Sequence, residues 1–317
     1  MAILLTGVAG FIGQAVAKAL LAEGREVIGV DNLSDYYDVG LKQARLQELE
    51  GFKNFHFHKM DICDHAGLLR LASNVDLVIH LAAQAGVRYS LENPFAYVKN
   101  NVEGFLSILE VCRHLPQRPK LVYASSSSVY GANTKIPFAI SDEVKSPISL
   151  YAASKLADEH MAFTYSHLFS INSIGLRFFT VYGPWGRPDM APFKFTKAIF
   201  AGEPIDVYNN GNMKRDFTYI DDIVAGVIGA VNYEVSGHKI YNLGNHKPVD
   251  LKYFIQVLEK QIGKKARMNL LPMQPGEVIE TYADISESER DLKFFPHTAV
   301  EEGLAQLVKW YKGYAGV

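Results

Sequence analysis

Short apolar runs rich in β-branched residues alternate, along the first half of the chain, with segments whose apolar positions recur at helical spacing. The runs predict strands at about Ala2–Thr6, Glu26–Val30, Phe55–Met60, Leu77–His80, Leu121–Ser125 and Ser173–Phe178. Helical patterns fall between them, near Phe11–Ala22, Leu41–Leu49, Ala66–Ala72, Ala96–Arg113 and Tyr151–Leu168. Strand and helix repeated in this way describe a parallel sheet covered on both faces. After about Thr180 the rhythm changes. Gly, Pro, Asn and aromatic residues crowd Val181–Pro192 and Tyr208–Arg215, among helical patterns near Pro192–Ala201, Asp221–Asn232, Leu251–Ile262 and Ala299–Lys312. The expected fold class is therefore α/β. A doubly wound parallel sheet occupies residues 1–179, a segment near 216–235 returns to it, and residues 180–317 form a smaller, mixed α/β region along one wall of a cleft.

Composition narrows the function classes. The 317 residues are 48% hydrophobic, enough for a sizeable core. Lys and Arg total 32 against 34 Asp and Glu, a net charge of −2. Nucleic-acid and membrane-surface proteins need a basic excess, so neither partner is expected, and an anionic ligand must be met by a few local cations. No stretch approaches the roughly 18 uninterrupted apolar residues of a membrane span. Gly7, Gly10 and Gly13 interrupt the apolar start, with no basic leader or cleavage site behind them, so a soluble cytoplasmic protein is expected. Cys63 and Cys112 sit in apolar patterned segments and read as buried free thiols. The Phe55-His56-Phe57-His58 run lacks the further ligands a metal would need, and no metal is expected.

The first chemistry appears where the first strand meets the first helix. Gly7-Val8-Ala9-Gly10-Phe11-Ile12-Gly13 spaces its glycines as G-x-x-G-x-x-G. Glycine there allows positive φ and close approach of backbone to a pyrophosphate, and the helix N-terminus turns its free N–H groups and positive dipole end toward that anion. The second strand ends in Asp31-Asn32, about where an acidic side chain grips the ribose 2′-hydroxyl of NAD in a Rossmann-type sheet. Asp31 would repel a 2′-phosphate, which favours NAD over NADP. Asp61-Ile62 after the third strand, Leu81-Ala82-Ala83-Gln84 after the fourth, and Asn100 complete the expected cofactor site.

The fifth strand runs into Ser125-Ser126-Ser127-Ser128, and Tyr151 and Lys155 follow one turn apart on a long helix. A lysine ammonium beside a phenol favours the phenolate, giving a base able to take a hydroxyl proton, and a serine can hold the oxygen that becomes a ketone. Tyr151, Lys155 and Ser126 are thus the candidate catalytic residues. The simpler reading of such a pair is a solvated helix face; the dinucleotide cradle upstream favours the catalytic one.

Taken together, the glycine turn, the serine strand and Tyr151-x-x-x-Lys155 resemble the extended short-chain dehydrogenase/reductase superfamily over almost the whole chain. Within it, the segments Asn32–Asp38, Ala83–Ser90 and Leu176–Met190 are similar to the UDP-glucuronate 4-epimerase family. That resemblance implies an NAD cofactor, a UDP-sugar substrate, and a homodimer built on the Ala96–Arg113 and Tyr151–Leu168 helices. Relatives that dehydrate carry an Asp-Glu pair, and those that decarboxylate usually a glutamate, where this chain has Ser127-Ser128. The implied reaction is oxidation at sugar C4, rotation of the ketone, and reduction from its other face.

The remaining expectations concern the substrate. Ser126, Ser127, Ser128 and Thr180 offer small hydroxyls for a C6 carboxylate. Arg187 and Arg215, with Arg88 as a further candidate, are expected to grip phosphates, and Val207-Tyr208 to pack near the uracil. At Gln274-Pro275-Gly276-Glu277, relatives often place a phosphate-binding arginine close by, and here none precedes Gly276. Three other readings stay open: a 4-epimerase for a neutral or N-acetylated UDP-hexose, a reductase or dehydrogenase that releases NAD(H), and a non-catalytic NAD-sensing module.

Overall fold

A computed structural model describes residues 2–274 and 278–317. In chain order the first half runs β1 (Ala2–Thr6), α1 (Phe11–Ala22), β2 (Glu26–Asp31), α2 (Val39–Gln47), β3 (Phe55–Lys59), α3 (His65–Leu71) and β4 (Val75–His80). There follow the short α4 (Tyr89–Glu92) and α5 (Pro94–Tyr97), a π-helical segment Val98–Glu103, α6 (Gly104–His114), β5 (Lys120–Ser126), a 3₁₀ turn Ser127–Tyr130, α7 (Leu150–Phe169) and β6 (Ser173–Phe178). The second half carries β7 (Thr180–Tyr182), α8 (Ala191–Ala201), β8 (Pro204–Val207), β9 (Lys214–Tyr219), α9 (Ile220–Asn232), β10 (His238–Leu243) and β11 (Pro248–Asp250). It ends with α10 (Leu251–Ile262), β12 (Arg267–Leu270), α11 (Ser286–Leu292) and α12 (Val300–Ala315).

Seven strands form one sheet in the order β3-β2-β1-β4-β5-β6-β10, and every pair is parallel. Helices cover both faces, so β1, β4 and β6 are apolar and buried nearly throughout rather than alternating. The winding reverses between β1 and β4. That switch point opens a crevice beyond the strands' C-terminal ends, where ligands of such sheets bind. The rest of the second half is mixed: β11-β9-β7 form a three-stranded sheet and β8 pairs with β12. Helix α9 packs back on α1, and β10 closes the far edge of the main sheet. One apolar core runs through both halves.

Two expectations need correction. The helix read over Ala96–Arg113 is broken into α5, the π-helical segment and α6. Gly104 packs directly on Ile62, where a Cβ would come within 2.5 Å of its side chain, and the wider turn before it faces Asn100 and Asn101 inward. Cys63 lies in the turn after β3 and is half-buried, whereas Cys112 is buried in α6; both are free. Among the described residues, no helix is long and apolar enough to cross a membrane.

Candidate active site

The cleft at the switch point begins at the glycine turn. Gly7 has φ of +76°, and its N–H donates to Val30 O at 2.8 Å. A Cβ on Gly7 would stand 2.6 Å from Ala82 N, and one on Gly13 would stand 2.0 Å from Gly7 O. Backbone therefore packs on backbone at both places, and neither tolerates a side chain. No side chain caps α1, whose first residues Phe11, Ile12 and Gly13 line the cleft after Gly7 and Gly10. The N–H groups of that uncapped turn are directed to whatever anion the cleft holds.

Asp31 stands at the end of β2. Its carboxylate accepts hydrogen bonds from Ala9 N (3.1 Å) and Leu33 N (2.9 Å), which fix it against the glycine turn. Asn32 lines the cleft beside it. Lys42, which the sequence pattern did not single out, faces the same pocket from α2 and donates to Ser34 O (2.7 Å) and Ser34 Oγ (2.9 Å). Burial pulls its ammonium pKa down, with Asp31 opposing. Ile62, Leu81, Ala82, Ala83, Gln84 and Asn100 line the cleft as expected. Asp61 does not; its carboxylate accepts from Cys63 N (2.9 Å) and lies beside Asn32, bracing the wall from behind. Behind Gln84, Asn101 accepts from Gln84 N (2.7 Å) and donates to Gln84 O (3.0 Å) and Ser154 Oγ (2.9 Å), tying this wall to α7.

The other end of the cleft gathers Ser126, Ser127, Ser128, Tyr151, Lys155, Thr180 and Arg187. Ser149 caps α7 through Ala152 N, so the helix starts just where Tyr151 must face inward. Ser126 Oγ accepts from Ser128 N (3.2 Å), turning the serine run across the end of β5. Lys155 is buried. Its Nζ donates to Ala124 O (3.0 Å) and to Asp158 Oδ2 (3.0 Å). Arg187 is held by Asp189 through Nε at 3.1 Å and through Nη2, and the Tyr36 hydroxyl donates to the same carboxylate at 3.1 Å. Burial would lower the Arg187 pKa, but the Asp189 carboxylate outweighs it and holds the guanidinium charged. Burial and Asp189 together push the Tyr36 phenol up. Tyr36 and Asp189 are functional neighbours that sequence spacing alone could not join.

Four expected substrate residues lie off the cleft wall. Val207 is fully buried in the core. Arg88 stacks on the ring of Tyr208 at 4.2 Å, so these two meet each other across the two halves. Arg215 donates to Lys214 O (2.9 Å) and Ile279 O (3.1 Å). The reading at Gln274-Pro275-Gly276-Glu277 falls on residues 275–277, outside those described. His80 closes β4 behind the cleft, buried, with Nδ1 2.7 Å from Thr6 Oγ1. Burial, helped by the Lys155 charge, lowers its pKa to about 3, so it is neutral. The charge pattern is unequal. Among the described lining residues, Asp31 is the only carboxylate, at the glycine end, while Lys42, Lys155 and Arg187 are cationic.

Protein CapI of Staphylococcus aureus is 50% identical to this chain, over 99% of each. UDP-glucuronate 4-epimerase 4 of Arabidopsis thaliana is 47% identical over 98% of this chain and 75% of its own length. A crystal structure of UDP-glucuronic acid 4-epimerase from Bacillus cereus, in complex with UDP-glucuronic acid and NAD, superposes with a TM-score of 0.92 at 36% identity, covering 99% of this chain and all of that one. The profile of the NAD dependent epimerase/dehydratase family matches residues 3–244, from the glycine turn through the serine strand, the Tyr151/Lys155 helix and β10. The chain belongs to the NAD dependent epimerase/dehydratase family.

Proposed function

We propose that this protein is a UDP-glucuronate 4-epimerase, interconverting UDP-glucuronate and UDP-galacturonate with NAD as a recycled cofactor. The observation that carries this reading over dehydration or decarboxylation is that, among the described residues, no carboxylate lines the Tyr151 end of the cleft; Asp158 and Asp189 stand behind it, paired with Lys155 and Arg187. Eliminating water across C5 and C6 needs an acid and a base beside the sugar. Ser126, Ser127, Ser128 and Thr180 offer only hydroxyls there. Similarity over nearly all of this chain to 4-epimerases of Arabidopsis thaliana and Bacillus cereus supports the same choice.

The residues present fit NAD. The side-chain-free contacts at Gly7 and Gly13 leave backbone N–H groups for a pyrophosphate, and the fixed Asp31 carboxylate suits ribose hydroxyls. NAD held there supplies a two-electron acceptor for the sugar C4–H bond and gives the same electrons back. The chain's own work is proton transfer and orientation. Tyr151 takes the C4 hydroxyl proton as the ketone forms and returns it when the alcohol is restored. Ser126 holds the C4 oxygen. Ser127, Ser128 and Thr180 hold the C6 carboxylate through several hydrogen bonds, which keeps a decarboxylation-prone 4-ketouronate in one orientation. Arg187, clamped by Asp189, supplies a local cation at the Tyr151 end for an anionic substrate that the near-neutral chain as a whole would not attract.

The proposed division of labour is NAD on residues 1–179 with the returning segment near 216–235, and the UDP-sugar mainly on 180–317. Dimerisation is part of the proposal. Phe95 is 82% exposed and Phe163 60% exposed on the packed α5 and α7, with Val98 and Leu106 also exposed nearby, an apolar surface that a second copy would cover. The test of function is incubation of the purified protein with UDP-glucuronate and separation of the products. UDP-galacturonate is expected. A UDP-pentose, or a dehydrated ketone, would contradict the reading.

A further inference from the structure

Behind Tyr151 lies a buried carboxylate that the mechanism above does not use. Asp158 sits one turn beyond Lys155 on α7, with Oδ2 3.0 Å from the Lys155 Nζ; the two side chains are 0% and 2% exposed. Ala124 O takes a second Lys155 hydrogen at 3.0 Å. An ammonium has three donors, so two fixed acceptors leave one direction for the third. The adjacent Glu159 is not an alternative partner. It receives Arg177 through Nε (2.9 Å) and Nη2 (2.8 Å), and Ser125 Oγ at 2.6 Å.

We propose that Asp158 is a positioning residue for the reaction: it anchors the Lys155 ammonium under the cleft and tempers the positive field that Lys155 exerts on the Tyr151 phenol. This rests on Tyr151 acting as the base. The pair is isolated from other compensating charge. From β5 it is faced by Tyr123, whose phenol is raised well above its ordinary value by burial and then by Glu159 and Asp158. From β4 comes His80, which is neutral, and from β6 Arg177, which is engaged by Glu159. His238 of β10 stacks on Tyr123 and is kept neutral by burial. The π-helical segment presents uncharged Asn101, bonded to Ser154. Among the described residues Asp158 Oδ1 has no hydrogen-bond partner. Burial raises the Asp158 pKa to about 6 against the pull of Lys155, so above that pH it carries the charge that opposes ionisation of Tyr151.

Asp158→Asn keeps an oxygen for Lys155 and removes the charge. The pH dependence of kcat for UDP-glucuronate should then shift its acidic limb to lower pH by roughly one unit, with KM little changed. The phenolate absorption of the NAD-loaded protein, taken as the difference from a Tyr151→Phe counterpart in the same background, should shift with it. Coincident limbs and coincident phenolate titrations, or a shift to higher pH, would overturn the proposal. Should Asp158→Asn fail to fold, Asp158→Ser also removes the charge and leaves a hydroxyl for Lys155, and its acidic limb should move to lower pH in the same way. A limb that coincides with wild type in that variant would overturn the proposal equally. If Tyr151→Phe turns over normally, the base assignment fails. If that variant is inactive while the limb stays put in Asp158→Asn, only the role of Asp158 fails.

Discussion

At the scale of single residues, the site is written in two kinds of signal. Gly7, Gly10 and Gly13, and the Tyr151/Lys155 pair, depend on spacing along one turn or one helix, so the sequence displays them directly. Gly13 is the sharpest case. Because a Cβ there would meet Gly7 O at 2.0 Å, Gly13→Ala must push the turn away from α1. A loss of about 3 kcal/mol in urea unfolding and loss of bound NAD are expected; a variant as stable as wild type with full cofactor content would contradict the packing argument. Thr180→Val removes one hydroxyl and little volume. It should lower kcat/KM for UDP-glucuronate by about tenfold, the effect of one hydrogen bond to a charged group, while stability is nearly unchanged. Steady-state kinetics would check it. Lys42, Asp158 and Asp189 belong to the second kind. Each was visible as a letter, and Asp158 and Asp189 stand within three residues of Lys155 and Arg187, but a charged residue reads as solvated until burial is known.

Among the elements, the legible ones are those whose burial repeats with a simple period. Helices α1 and α10 and strands β1 and β6 lie where the apolar pattern puts them. The pattern failed at Val98–Glu103, because a π-helical turn changes the period within what reads as one continuous helix. It also missed β10, an edge strand paired only with β6, whose His238-Lys239 opening is polar and only partly buried. One buried side chain joins elements that sequence could not connect. Arg45 of α2 donates to Ala9 O (3.0 Å) in the glycine turn, Tyr37 OH (2.7 Å), and both Trp185 O (2.7 Å) and Gly186 O (3.1 Å) in the loop after β7. It links the cofactor turn to the loop that carries Arg187. Arg45→Met fills similar space but leaves those carbonyls without a donor. A destabilisation on the order of 3 kcal/mol is expected, with weaker NAD retention measured by cofactor content after dialysis. Retention equal to wild type would show that the loop holds itself.

For the whole molecule, buried histidines tie stability to pH. His80 and His238 have folded pKa values lowered by burial from 6.5 to about 3 and about 4. Below pH 6.5 the unfolded chain takes up protons that the folded chain refuses, so their contribution is complete above 6.5 and is lost as pH falls. Asp158 acts in the opposite sense. Its folded pKa of about 6 lies above the ordinary 3.8, and the folded state holds a proton the unfolded chain releases between those values. Asp216 and Asp221 are raised in the same sense as Asp158, whereas depressed carboxylates such as Asp142, Asp189 and Asp291 add to the effect of the histidines, and a net fall in melting temperature is expected as pH drops from 6.5 to about 4. His80→Gln, which keeps a polar partner for Thr6, should flatten that slope. An unchanged slope would show that His80 is not the titrating group.

As a whole, one parallel sheet joins a glycine cradle at its switch point to a Tyr151 end where no carboxylate among the described residues lines the cleft, an arrangement that suits an epimerase. The most direct measurement follows the hydrogen at sugar C4. UDP-glucuronate carrying deuterium at C4 is incubated with the protein in ordinary water, and the product is analysed by mass and by NMR. The expected product is UDP-galacturonate that keeps its C4 deuterium, with no net change in the nicotinamide absorption band, because the same atom leaves and returns. Product that has exchanged its label with water, or has lost carbon dioxide, would contradict the epimerase reading.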